Sequence, residues 1–148
     1  MRKGFHIVYE KGVSPNVVDF AKNVCARIED VTKINHVIGV RLVNNLSKDH
    51  EEVWERGKLR ILGVFGAPCK RKEGLELGLW QKGWECCIIC PARIYKRGIS
   101  RSCSLVEFYG TLIHEAAHYI QFRDKKKVQE KGMRKATRKL SKRFLCIS

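Results

Sequence analysis

Apolar positions along this 148-residue chain follow two rhythms. Short runs rich in Val, Ile and Leu, at Phe5–Tyr9, Val37–Leu46 and Leu59–Phe65, have the length of strands. A fourth run, Glu85–Tyr95, predicts a buried strand. Its pleat puts Cys86, Ile88 and Cys90 on one face and Cys87 and Ile89 on the other. Between the first two runs, Val17, Phe20, Ala21, Val24 and Ile28 recur at three- and four-residue steps, which predicts an amphipathic helix to about Ile28. Ser14 is placed to cap that helix, and Pro15 fits its first turn. The polar stretches Ser47–Lys58 and Gly66–Leu77 read as loops, and Gly98–Cys103 as a turn.

Toward the C-terminus the rhythm is helical. Ser104 and Glu107 have the spacing of a capping box. Leu105, Phe108, Tyr109, Leu112, Ile113, Ala116 and Ile120 then spread over more than one face, so a largely buried helix is expected over about 104–122. After a polar break at Arg123–Lys127, a last helix is expected from about Val128 to Phe144. No repeat and no linker interrupts the chain. The expectation is one α+β domain over 1–148: a core of 1–122 holding the buried helix and a small mixed sheet, then a basic C-terminal helix in 123–148.

Composition narrows the class. Hydrophobic residues at 44% and charged residues at 30% exclude a disordered chain and a fibre. No apolar run reaches the roughly 18 residues of a membrane span, and the first ten residues lack the apolar stretch of a secretory signal. A cytoplasmic protein without a membrane partner is expected. Lys and Arg exceed Asp and Glu by 30 to 15, and residues 123–148 alone carry eleven basic against two acidic side chains. So concentrated a charge points to nucleic acid as a partner of the C-terminal helix. Seven cysteines include one CxxC pair, Cys87 and Cys90, whose side chains the pleat sends apart, so packing rather than metal binding is expected of them.

Chemistry concentrates in the buried helix at His114-Glu115-Ala116-Ala117-His118. Residues four apart share a helical face, so both imidazoles can reach one point. Neutral imidazole is a good zinc ligand, and Glu115, rotated off the shared axis, can act as a base on a water there. Two buried imidazoles without a common partner would be costly polar groups. A catalytic zinc needs a third protein ligand and an open position. No histidine follows His118, which leaves Asp124 and Glu130 as downstream carboxylates. Glu130 is the better placed, at the head of a seam through Met133, Thr137, Leu140 and Phe144. Asp124 lies in a charged turn, and an upstream Cys, His or acid stays open.

The segment His114-Glu-Ala-Ala-His118, with Thr111-Leu-Ile before it and Tyr119-Ile after it, resembles the active-site helix of zincin metallopeptidases. With Glu130 as third ligand the chain is similar to small single-domain gluzincins. It is more distantly similar to SprT-like proteases, whose downstream histidine it lacks. Peptide deformylases also carry HExxH, but their glycine-rich motif and Glu-Gly-Cys strand are absent here. The resemblance implies a minimal zincin core and one Zn2+ per chain held by His114, His118 and Glu130. It further implies a peptide or protein substrate hydrolysed with Glu115 as general base. The strand Glu85–Tyr95 would border the cleft and pair with an extended substrate, with Tyr95, Tyr109 and Tyr119 as candidates to steady the tetrahedral intermediate. The competing expectation is a basic nucleic-acid-binding module with a structural metal site and no proteolysis. Substitution of Glu115 separates the two.

Overall fold

A computed structural model describes residues 2–45, 63–66, 78, 80–96, 99–125 and 128–147, with the side chains of 95–96 and 144–147 left undescribed. The first strand, β1 (Gly4–Tyr9), leads through Ser14 into helix α1 (Pro15–Val31), and the Ser14 hydroxyl accepts the Asn16 N–H at 3.3 Å. Capping by Ser14 and initiation at Pro15 follow the sequence reading. The helix runs about one turn past Ile28, because Thr32 donates its N–H back to the Ile28 carbonyl. Strands β2 (Val37–Val43), β3 (Val64–Gly66) and β4 (Cys86–Pro91) complete a sheet of order β1-β2-β4-β3. β1, β2 and β4 are parallel, and β3 lies antiparallel on β4 at the edge.

Both faces of the sheet are covered, which is why β4 reads as a continuous apolar run. One face, formed by Phe5, Ile38, Val40, Leu42, Phe65, Cys86, Ile88 and Cys90, packs on α1 and on the long helix α2 (Leu105–Lys125). The other, with Val37, Val43, Val64, Cys87 and Ile89, packs under Trp80 and Trp84. The alternation expected of the cysteines is thus observed. Cys25, Cys86, Cys87 and Cys90 are buried thiols outside any disulfide, and burial pushes Cys87 up to about 12. Gly39 faces Trp84 so closely that a Cβ there would overlap the indole.

Three expectations need correction. The Glu85–Tyr95 run is two strands, β4 and β5 (Arg93–Lys96), separated at Ala92. Gly98–Cys103 is not only a turn: Ile99–Ser102 forms β6, antiparallel to β5. The last helix, α3 (Met133–Ile147), begins later than Val128, because Gly132 takes a left-handed conformation (φ 82°) that breaks the helix before it. The start of the third apolar run, residues 59–62, and the polar stretches 47–58 and 67–77, apart from their borders with described strands, lie outside the described residues. The described chain is a small mixed α+β fold with three helices, and no described helix is long and apolar enough to cross a membrane.

Candidate metal centre

Helix α2 positions the centre. Its start is fixed by the expected capping box: Ser104 Oγ accepts the Glu107 N–H at 3.1 Å, and Glu107 Oε1 accepts the Ser104 N–H at 3.0 Å. Arg101 adds a bidentate pair to the same carboxylate, at 2.9 and 2.8 Å. Together these bonds, with Arg101 the larger influence, hold Glu107 down at about 2. Buried Phe108, Leu112, Ile113, Ala116 and Ala117 then seat α2 in the main core with α1 and the sheet. From the end of α2, Arg123 donates to Thr32 Oγ1 and the Lys33 carbonyl, tying the helix to the end of α1.

That seating brings the two expected imidazoles together. The rings of His114 and His118 meet edge to face, with centroids 4.8 Å apart. Glu130 reaches both: Oε1 lies 2.9 Å from His118 Nε2, and Oε2 lies 3.3 Å from His114 Nε2. One ligand atom from each of the three residues falls within 4.8 Å of the others. Donors bonded to a tetrahedral zinc at about 2.0 Å stand roughly 3.3 Å apart, so the group fits that ion with small adjustments. Among the described residues no fourth His, Cys, Asp or Glu joins the group. His118 is 4% exposed, His114 36% and Glu130 64%, so the open side of the cluster faces solvent. Glu130 does not sit on the last helix as expected. It belongs to the turn ahead of α3, where its carbonyl accepts the Met133 N–H. Asp124, the other downstream carboxylate, is held by Arg123 and lies outside the group.

Gln121, which the sequence did not single out, reveals how the cluster is wired. Its Oε1 accepts the backbone N–H of Gln129 at 2.9 Å, which fixes the orientation of its amide. The same oxygen lies 3.2 Å from His118 Nδ1 and accepts from it in the Nδ1–H tautomer. In that tautomer Nε2 presents its lone pair toward Glu130 Oε1, 2.9 Å away. A cation held by both Nε2 and Glu130 would satisfy that pairing. An oxygen acceptor on the far nitrogen is the arrangement that orients a metal-bound histidine. For His114, burial first and then repulsion from His118 lower the pKa below its usual 6.5, and Glu130 opposes the shift. That ring is therefore neutral, as a ligand must be, at neutral pH.

Glu115 is 5% exposed and points toward the sheet rather than into solvent. A Cβ on Gly63, the residue before β3, would lie 3.1 Å from Glu115 Cγ and 2.6 Å from Thr111 Cγ2. The missing side chain at Gly63 thus makes room for Glu115. β4 is enclosed between β2 and β3, so Cys87–Ile89 has no free edge for a substrate. Among the described strands, β3 pairs on one side only, with β4, and packs beside α2. Among the tyrosines, the Tyr119 hydroxyl is engaged at the α1–β2 connection. It accepts the Asn35 N–H at 3.0 Å and shares a 2.8 Å bond with His36 Nδ1. Tyr109 donates to Ser141 at 3.3 Å. Neither is aimed at the triad, and the Tyr95 side chain lies outside those described. Comparison with protein-family models, with curated proteins and with solved structures gives no match to this chain.

Proposed function

We propose that the chain is a small zinc-dependent peptidase with a zincin-like core, in which His114, His118 and Glu130 hold one ion per chain. The observation that carries this reading is the convergence of His114, His118 and Glu130, with one ligand atom of each within 4.8 Å of the others and Gln121 behind His118 Nδ1. When bound, zinc supplies a Lewis acid that brings the pKa of water to about 7. Glu115 takes the proton of the attacking water and passes it to the leaving amine, so its carboxylate acts twice per turnover. An extended substrate aligns along the outer edge of β3 by adding a strand, which lays its backbone beside the helix carrying Glu115. A purely structural metal site is closed by four protein ligands. Among the described residues, three ligands with a solvent-facing side favour the catalytic reading over a binding module with a structural ion.

Glu115→Gln tests this directly. The variant is expected to keep its zinc and its fold while cleavage of an unfolded protein substrate falls at least about 100-fold. Undiminished cleavage would remove Glu115 from the chemistry. Zinc retained by a wild-type protein that cleaves no unfolded substrate would remove the peptidase reading altogether.

A further inference from the structure

Helix α3 contains no acidic residue from Met133 to Ile147. Its basic residues come in adjacent pairs at four-residue steps, Arg134-Lys135, Arg138-Lys139 and Lys142-Arg143, and all six are exposed. Four residues of helix rise about 6 Å, so the pairs form a ridge with one doublet per turn over about 13 Å. Among the described residues, Arg134, Lys135, Arg138 and Lys142 enter no ion pair. Lys139 lies near Asp124, which Arg123 already holds, and Arg143 donates to the Val31 carbonyl.

We propose that this ridge binds the phosphate backbone of nucleic acid without reading its base sequence. An anionic membrane surface would attract the same charge, but an interfacial helix must also offer an apolar face to the lipid. Here the described apolar residues of the helix are spent on the core: Met133 and Leu140 are 2% and 3% exposed and pack within the main cluster with α1 and α2. Arg and Lys side chains on such a ridge meet phosphates, which carry no sequence information. The ridge is independent of the metal reading, since none of its cations belongs to the triad.

Fluorescence anisotropy with the full chain reads the binding. Labelled 30-mers of duplex DNA, single-stranded DNA and duplex RNA, each in two unrelated sequences, are titrated between 50 and 200 mM salt. Tight binding of any of them supports the proposal and tells which nucleic acid is preferred. About four phosphate contacts give a log–log salt slope near −3.6 on DNA duplex, or roughly 100-fold weaker binding across that range. The quadruple variant R134Q/K135Q/R138Q/K139Q is expected to lose this binding with unchanged circular dichroism. The equally neutralised control K22Q/R27Q/K33Q/K82Q is expected to keep it, as is His114→Ala. No binding at 50 mM salt would overturn the proposal. So would equal loss in the control, a tenfold preference between sequences, or tighter binding to phosphatidylserine vesicles than to nucleic acid.

Discussion

The His118 ring illustrates how one side chain outside the motif decides what the motif can do. Gln121 holds Nδ1 and turns Nε2 toward Glu130. Loss of the partner behind a metal-bound histidine typically lowers metal affinity 10- to 100-fold. Gln121→Ala should therefore weaken zinc binding by about that factor, measured by competition with a chromogenic chelator. The pair His114 and His118 was legible from spacing alone, and Glu130 from the scarcity of downstream acids. Gln121 was not. A glutamine one turn after a histidine reads as a solvated residue until the fold delivers the Gln129 N–H that fixes its amide. Gly63 was equally silent, since only the approach of Thr111 and Glu115 gives its missing Cβ a purpose.

Among the elements, those bounded by local chemistry were readable and those bounded by tertiary contacts were not. The capping box fixed the start of α2, and pleat alternation fixed the faces of β4. The β5–β6 hairpin was hidden because Ile99–Ser102 is mostly polar and fully exposed, so it lacks the apolar signal of a strand. Seam counting carried Glu130 onto α3 because the spacing ran through Gly132, where the backbone turns left-handed. The α2 cap makes a pH prediction. Glu107 has a usual pKa of 4.5 that folding lowers to about 2, so its contribution is complete above pH 4.5 and vanishes as pH falls toward 2. Glu107→Gln should therefore be less stable than wild type at pH 7, with the gap closing toward pH 2. Chemical denaturation at several pH values would show it.

The whole molecule divides its labour between a covered sheet and a basic outer helix. The sheet is buried on both faces and shields its thiols. Cys25, Cys87 and Cys90 are pushed up by burial. In the folded protein they should resist alkylation at pH 8 and react only after denaturation, as peptide mapping of the adducts would show. On the outside, α3 packs against α2 and α1 by one seam and leaves its cations to solvent. The turn between α2 and α3 is where the two parts meet. It brings Glu130 over the histidines. On the proposed reading, the chemistry at this cluster depends on that turn completing the group of ligands. The direct measurement is zinc stoichiometry by native mass spectrometry of the wild type beside His118→Ala and Glu130→Ala. One ion per wild-type chain, absent from His118→Ala and depleted in Glu130→Ala, is the expected result. A folded wild type that takes up no zinc from solution, or variants that hold as much as it does, would contradict it.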